Sequence, residues 1–150
     1  MKLRMVDRIG AYQPRRSIRG TKTVSFEEYC LRGRLGFDAY LPETLLLESL
    51  FQLGNWLIIL SSDFAQMGLV VRTGQVEFIE PVGPGQRITA SVFIKRYRDD
   101  GVCFSGEARV GDRTVISGTS CLAVPVPLAD YCDPDDLRVV FSQIYRPQEP

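Results

Sequence analysis

One stretch of the chain, residues 42–60 (PETLLLESLFQLGNWLIIL), is apolar on nearly every side and has the length of a helix. Its leucines recur at helical spacing, and bulky residues such as Phe51, Trp56 and Ile58 fill most of the remaining positions. Such a helix must be buried, and an enclosing β-sheet would bury it. We therefore predict that the rest of the chain is arranged around this helix.

Three polar residues interrupt the apolar run: Glu48, Gln52 and Asn55. Their spacing of four and then three residues places them in one narrow stripe along the helix. A carboxylate on an otherwise apolar helix is a candidate for chemistry. The stripe also argues against a membrane span, because Glu48 and Gln52 would lie near mid-bilayer and the chain has no second apolar segment of this length.

The segments on either side of this helix have strand patterns and turn signals. Before it we predict a short strand at about 3–9, a turn at 10–14, an extended segment at 17–25, a short helix at 26–31 and a loop at 32–40. After it a period of two predicts extended segments at 69–79, 87–98, 102–110 and 113–124, separated by turns. The order indicates two short strands, a buried helix and at least three long antiparallel strands.

The last part of the chain has the signals of a short amphipathic helix. Asp133 is a good N-cap and Pro134 a good first helical residue. Apolar residues then fall at i, i+3, i+4 and i+7, namely Leu137, Val140, Phe141 and Ile144. We expect this helix to dock on the body of the protein or on a neighbouring subunit.

Length and charge limit the classes of function. A chain of 150 residues is long enough for one domain with a substantial core. Lys plus Arg and Asp plus Glu are 18 each, so the formal net charge is zero and nothing points to a nucleic-acid partner. Near-neutrality is compatible with an oligomer interface. The N-terminus has no continuous apolar segment of the secretory type, so we expect a cytoplasmic protein.

The chain contains no histidine, which removes whole classes of mechanism. Imidazole is the side chain that normally titrates near neutral pH, so nucleophilic systems of the Ser/His/Asp or Cys/His type cannot be assembled from this chain alone. Its four cysteines form no CxxC pair, and we expect them to be reduced and structural. We predict neither a metal site nor an organic cofactor.

Three motifs in order resemble one known family. LPETLLLESLFQ is similar to the MPGxLxxEALAQ signature of bacterial β-hydroxyacyl-acyl-carrier-protein dehydratases of the FabZ type. MVDRI near the N-terminus resembles the family's LVDRV, and VEFIEPVGPGQRI resembles its VxFxxPVxPGDxL segment. The resemblance covers about residues 5–124. It implies the hotdog fold, an α+β arrangement in which a curved antiparallel sheet wraps one long helix.

The resemblance also implies where a site would lie. In that family the active site forms between two subunits, from a histidine of one chain and a glutamate on the central helix of the other. Glu48 falls on the glutamate, and Arg34 falls on the histidine, so the imidazole is lost. Glu43 replaces the glycine whose backbone N–H binds the thioester carbonyl in relatives. The N–H is kept, but a carboxylate now stands beside it.

The loss of histidine matters because dehydration of a 3-hydroxyacyl thioester needs two proton transfers. One group takes a proton from the carbon next to the carbonyl, and another delivers one to the departing hydroxyl. Arg34 cannot act as a base, since guanidinium stays protonated. It could hold an anion or a carbonyl oxygen, pair with Glu48, or lie in water. Tyr29, Asp38 and Tyr40 lie near enough in sequence to supply an oxygen, or are placed there by chance.

These observations lead to one assignment of site residues. Glu48 is the candidate catalytic or polarising residue of an acyl tunnel, or else a relic that is hydrogen-bonded or paired at the seam of a dimer. Arg34, Glu43 and Gln52 are candidate substrate-binding residues. Gln52 and Asn55 have the alternative role of satisfying backbone groups or holding Glu48. The basic sets Arg15, Arg16, Arg19 and Lys22, and Lys95, Arg96 and Arg98, either form a solvated face or dock an acidic carrier protein.

We expect a hotdog domain over residues 1–125 and a C-terminal extension with a short helix over 126–150. The expected partners are acyl thioesters of acyl carrier protein or coenzyme A, and a second copy of the chain in a homodimer or higher even oligomer. The leading function is a dehydratase-like protein with altered or lost dehydratase chemistry. A thioesterase that uses a lone carboxylate, and a non-catalytic subunit of a dehydratase heteromer, stay open as alternatives.

Overall fold

The computed structural model describes residues 3–27 and 39–147. Within these ranges the chain forms seven strands, two helices and a single 3-10 turn. In chain order they are β1 (Arg8–Gln13), β2 (Ser17–Thr23), α1 (Glu43–Ser61), β3 (Gln66–Arg72), β4 (Gln75–Phe78), β5 (Arg87–Arg98), β6 (Gly101–Val110), β7 (Arg113–Pro127), the turn Leu128–Asp130 and α2 (Pro134–Ile144). Most of the predicted helix at 26–31 and loop at 32–40 lies outside the described residues.

The strands form one antiparallel sheet in the order β1-β2-β5-β6-β7-β3, and β4 also pairs with β7. Every pairing between strands is antiparallel, as predicted. β5 and β6 begin and end within one residue of their predicted positions, because clear turn residues bound both strands.

α1 supplies one side of the core and the inner face of the sheet supplies the other. Leu46, Leu50, Leu53 and Leu57 of α1 are buried together with sheet residues such as Val92, as the helical spacing predicted. Each fully buried leucine stabilises the fold by roughly 2 kcal/mol relative to an exposed one. Gly54 lets the sheet approach closely: a Cβ there would lie 3.1 Å from the ring of Phe104. The wrapped helix is therefore the centre of the fold.

By length and composition alone, α1 is also apolar enough to cross a membrane. The core helices of soluble proteins pass the same test. Here the sheet covers the leucine face of α1, which is the arrangement expected from its polar stripe.

The N-terminal strand differs from the prediction. β1 runs from Arg8 to Gln13, through the segment predicted as a turn, and the chain reverses later, where Arg15 has a φ of 60°. Gly10 is the extra residue of a β-bulge, since the pairing with β2 shifts between Ile9 and Ala11. The prediction of a turn at 10–14 was therefore wrong, because Gly10 lies in a bulge within β1.

The extended segment predicted at 69–79 is two strands. β3 begins at Gln66, earlier than predicted, and β4 follows after a break at residues 73–74. Both lie along the same side of β7, which continues to Pro127 rather than ending at Val124. Pro125 and Pro127 of β7 are tolerated because they form non-hydrogen-bonded pairs with β3 and lie beyond Ala123, the last residue of β7 that pairs with β6.

The tail helix has the predicted boundaries and cap. The side chain of Asp133 accepts a hydrogen bond from the backbone N–H of Asp135 at 2.8 Å, and α2 starts at Pro134. Phe141 docks α2 on the body: its ring stacks on Tyr145 at 5.0 Å and lies 5.8 Å from Trp56 of α1. α2 therefore packs on the same chain, on the side of α1 that the sheet leaves open.

Candidate functional site

The three residues of the polar stripe line one cleft between α1 and β3. Glu48, Gln52 and Asn55 form its helix side, together with Phe51, and residues 67–70 form its strand side. The cavity has a volume of about 320 Å³. Glu48 is half-buried there, so its carboxylate is neither in the core nor in bulk water. The sequence thus predicted correctly that the three polar side chains share one side of α1.

Gln52 holds Glu48 in place. Its Nε2 donates to Oε1 of Glu48 and to the carbonyl oxygen of Leu3, both at 3.0 Å. Its Oε1 accepts from the backbone N–H of Met5 at 2.8 Å. One side chain, that of Gln52, therefore links the N-terminal segment to α1 and also orients the carboxylate of Glu48.

Asn55 closes part of the free edge of β3. Its Oδ1 accepts from the backbone N–H of Gly68 at 2.8 Å. Gly68 lies opposite Pro125 in the ladder with β7, and because the Gly68 N–H points to Asn55, these two residues form a non-hydrogen-bonded pair. Ser62 covers the next part of this edge, because its Oγ accepts a hydrogen bond from the backbone N–H of Gln66 at 3.0 Å. Side chains of α1 and of the residue after it thus cover the first half of the β3 edge.

Phe51 was not predicted as part of the site. It lies three residues after Glu48 and one before Gln52, so the helical spacing that grouped the polar residues also places Phe51 beside them. Because α1 is apolar on nearly every side, the sequence did not distinguish Phe51 from the apolar residues that pack in the core. The contribution of β3 had no local signal, since it depends on how the sheet closes over α1.

The other predicted site residues are not in this cleft. Glu43 is exposed in the first turn of α1, about 7 Å along the helix axis from Glu48. Tyr40 is exposed and does not line the cleft. Arg34, Tyr29 and Asp38 lie outside the described residues.

The chemistry of the cleft rests on one acid. Among the described residues that line it, Glu48 is the single titratable side chain. In the described ranges no group of three or more cysteine, aspartate or glutamate side chains could hold a metal ion. A half-buried carboxylate with one oxygen held by an amide can accept or donate one proton at a time.

The two edges of the sheet differ. At the β1 edge the tail is paired with the strand: Tyr145 bridges Ile9, and the N–H of Arg146 donates to the Ile9 carbonyl at 2.9 Å. β3 pairs with β7 alone among the described strands, and apolar Leu69 and Val71 on it are 37% and 60% exposed. The Glu48 cleft therefore lies at the edge of the sheet that pairs with no further strand in the described part of the chain.

The first basic set does not form one surface. Lys22 points inward, 9% exposed, with its Nζ 3.5 Å from a carboxylate oxygen of Asp7. Including Lys22 in a solvated or docking face was therefore wrong, and the reason is its position on the inner side of β2. Arg96 and Arg98 of the second set are exposed and line a separate cleft of about 490 Å³ with Arg72.

The described cysteines Cys103, Cys121 and Cys132 are free thiols, and Cys30 lies outside the described residues. Cys121 is buried on β7, and its pKa is raised by that burial and, to a smaller extent, by the neighbouring Cys103. Burial of this thiol fits the structural role expected from the sequence.

Comparison with known proteins identifies the family and the fold. The chain matches the FabA-like domain over residues 1–119. It is 33% identical over 112 residues to the 3-hydroxyacyl-acyl-carrier-protein dehydratase FabZ of a Caulobacter species, which covers 73% of this chain and 69% of that relative.

Two solved structures share its architecture. The hot-dog-like protein from Thermanaerovibrio acidaminovorans has a TM-score of 0.61 at 20% identity, covering 88% of this chain and 90% of that one. The fluoroacetyl-CoA thioesterase FlK has a TM-score of 0.65 at 11% identity, covering 86% of this chain and 97% of that one. The predicted α+β hotdog fold is confirmed. The chain belongs to the FabA-like family, and dehydratases of the FabZ type are among its relatives.

Proposed function

We propose that this protein binds acyl groups held as thioesters, on an acyl carrier protein or on coenzyme A, and that Glu48 contacts the thioester end. The observation that carries the proposal is the place of Glu48, which lines the cleft at the free edge of β3 and is oriented by Gln52. The name of the dehydratase relative supports a carrier-bound acyl substrate. The proposal includes no metal ion and no organic cofactor.

We further propose that dehydratase chemistry is altered or lost in this chain. Glu48 alone can serve one of the two proton transfers that dehydration needs. The chain has no histidine for the other, and Arg34 at that place in the motif stays protonated. Roles for Arg34, Glu43 and Gln52 in binding substrate stay proposals.

The shape of the sheet supports a homodimer formed through β3. An uncovered edge strand with exposed apolar side chains tends to pair with another chain. The tail occupies part of the β1 edge, whereas the second half of β3, from Val70 to Arg72, has no cover among the described residues. Pairing two copies there would place the partner beside the mouth of the Glu48 cleft and close it from solvent.

A second candidate function is thioester hydrolysis. It is favoured by the observation that Glu48 is the one titratable side chain among the described residues of the cleft. Hydrolysis needs a single general base, which takes a proton from the water that attacks the thioester carbonyl. The thiol then leaves as the carrier or coenzyme.

One set of assays separates these functions. The protein is incubated with 3-hydroxyacyl-CoA and 3-hydroxyacyl carrier protein, and enoyl absorbance and free thiol are recorded together. Binding is measured by calorimetry with a non-hydrolysable thioether analogue. We expect the analogue to bind, with enoyl formation absent or slow. Thiol release would establish the hydrolase, and failure of the analogue to bind would contradict the proposal.

The matched control uses the same substitution at two glutamates. Glu48→Gln removes the proposed acid or base, and we expect any turnover to fall by about 100-fold or more. Glu77→Gln changes an exposed residue of β4 outside the cleft and should leave turnover unchanged. If the chain is a non-catalytic subunit, the analogue binds without turnover, and the protein co-purifies with a related chain that carries histidine.

Three broader assignments are also proposals. We place the protein in the cytoplasm, with no nucleic-acid partner. We divide the chain into a hotdog domain at 1–125 and an extension at 126–150. The packing of α2 on α1 means that the extension should not be removed when the functions above are assayed.

A further inference from the structure

A second cleft lies on the outer face of the sheet, on the opposite side from the core. It has a volume of about 750 Å³, and its lining includes five arginines: Arg8, Arg19, Arg87, Arg109 and Arg146. The whole chain has zero formal net charge, so this is a local concentration of positive charge and not a general property. Asp112 is the one acidic residue among the described residues that line it.

Strand register explains how four of the arginines converge. Arg8 lies opposite Thr21, Thr21 opposite Thr89, and Thr89 opposite Arg109, so one row crosses four strands. Adjacent strands are about 4.8 Å apart, which puts the two arginine Cα atoms about 14 Å apart with two short hydroxyl side chains between them.

The other two sheet arginines flank this row on opposite sides. Arg19 lies opposite Ser91, and Arg87 lies opposite Thr23, each two residues along the strands from the threonine row. Two residues span about 7 Å. Four guanidinium groups therefore surround a floor of small side chains at similar distances.

The tail adds the fifth arginine. The backbone of Arg146 is tied to β1 through Ile9, and its Nη1 donates to the carbonyls of Ser142 and Tyr145 at 3.1 and 2.7 Å. These bonds fix the side chain and leave its Nε and Nη2 able to donate to a ligand. The cleft thus combines the sheet and the tail, which distinguishes it from an ordinary exposed strand face.

Most of this positive charge is not neutralised by the protein. Arg109 pairs with Glu107, with its Nε 2.9 Å from a carboxylate oxygen. Arg8, Arg19 and Arg87 form no ion pair with any residue in the described ranges. Like charges on neighbouring strands repel, so the arrangement lowers stability unless an anion binds.

Shape and charge together define the occupant. A second copy of this chain, related by a twofold axis, would place arginines against arginines. The volume is in the range of small-molecule sites, and the planar guanidinium fork matches phosphate oxygens.

We propose that this arginine cleft binds a small-molecule anion with two linked phosphates, such as a nucleoside diphosphate. The proposal does not rest on the function proposed for the Glu48 cleft, which lies on the inner side of the sheet.

The test is calorimetric titration of the full-length protein with pyrophosphate, ADP and adenosine. We expect pyrophosphate and ADP to bind, with affinity that falls as salt is raised, and adenosine not to bind. Arg87→Gln and Arg109→Gln should each weaken pyrophosphate binding by about tenfold or more, because each removes a charged hydrogen-bond donor. Arg87→Lys should show an intermediate loss, since it keeps the charge and loses the fork.

Arg16→Gln is the control, because Arg16 is exposed in the turn between β1 and β2 and does not line the cleft. Its pyrophosphate affinity should equal that of the native protein. The proposal is overturned if pyrophosphate does not bind at millimolar concentration. It is also overturned if Arg16→Gln weakens pyrophosphate binding as much as Arg87→Gln does. Binding of duplex DNA or an acidic carrier protein to this face without pyrophosphate binding would overturn it as well. None of these outcomes depends on thioester binding.

Discussion

Replacement of Gln52 by leucine tests the contact that joins the site to the fold. The side chain makes three hydrogen bonds, to the Met5 N–H, the Leu3 carbonyl and the Glu48 carboxylate. Leucine has a similar size and suits a helix, so Gln52→Leu removes the bonds with little change in volume. The N-terminal segment then loses its polar link to α1.

The cost follows from the burial of each partner. Met5 is 1% exposed, so its N–H is left without an acceptor and away from water, which costs about 2 kcal/mol. Leu3 and Glu48 are half-buried and can be hydrated, so their two bonds add about 1 kcal/mol. The new leucine faces a neighbouring cavity that Trp56 and Leu137 also line, and its burial there returns about 1 kcal/mol. We expect a net loss of about 2 kcal/mol, or about 6 °C in Tm for a chain of this size.

Urea unfolding followed by circular dichroism measures this change at one fixed protein concentration, because oligomers shift apparent stability. Gln143→Leu is the control, since the same substitution at an exposed position of α2 should change stability by less than about 0.5 kcal/mol. A Gln52→Leu protein as stable as the native chain would refute the inference that Gln52 holds the N-terminal segment and Glu48 together.

Three further predictions address the edge, the tail and a buried thiol. Val71→Lys should convert the proposed dimer to a monomer in light scattering, whereas Val139→Lys, the same change on exposed α2, should not; an unchanged mass for both would place the interface elsewhere. Phe141→Ala should cost about 3 kcal/mol and shift Trp56 fluorescence to the red as α2 detaches. Unchanged fluorescence would contradict this docking. Burial, with a smaller effect of nearby thiols, raises the pKa of Cys121, so its alkylation in the native protein should be much slower than after unfolding. Equal rates in peptide mapping would show that Cys121 is accessible.

The same raised pKa gives Cys121 a pH effect of defined sign. The thiol is held neutral in the fold, so it ionises more readily in the unfolded chain. Its contribution to stability is complete below the unfolded pKa and is lost as pH rises towards the folded pKa. In urea unfolding as a function of pH, Cys121→Ala should therefore show a smaller fall in stability at alkaline pH than the native protein, beside a pH-independent loss from the smaller buried side chain.

Local patterns predicted most of the elements. The helical spacing from Leu46 to Leu57 predicted the buried helix, and Asp133 with Pro134 predicted the start of α2. The grouping of Glu48, Gln52 and Asn55 needed only the geometry of one helix, and it was confirmed as one side of a cleft. These features depend on residues close in sequence.

Features set by long-range pairing were missed. Gly10 lies in a bulge and not in a turn because β1 pairs with β2, and the early start of β3 depends on its ladder with β7. Lys22 was assigned to an exposed set, but the register of β2 turns it inward towards Asp7. The arginine cleft has no local signal, because its members come from four strands and the tail.

The central claim is that Glu48 lies in an acyl-thioester cleft at the boundary between two copies of this chain. The most direct measurement is a crystal structure of the protein with a non-hydrolysable acyl thioether analogue. We predict a dimer paired through β3, with a Glu48 carboxylate oxygen within about 3.5 Å of the thioether end of the analogue or of a water that contacts it. Glu48 in bulk water, or the analogue bound away from α1 and β3, would contradict the account.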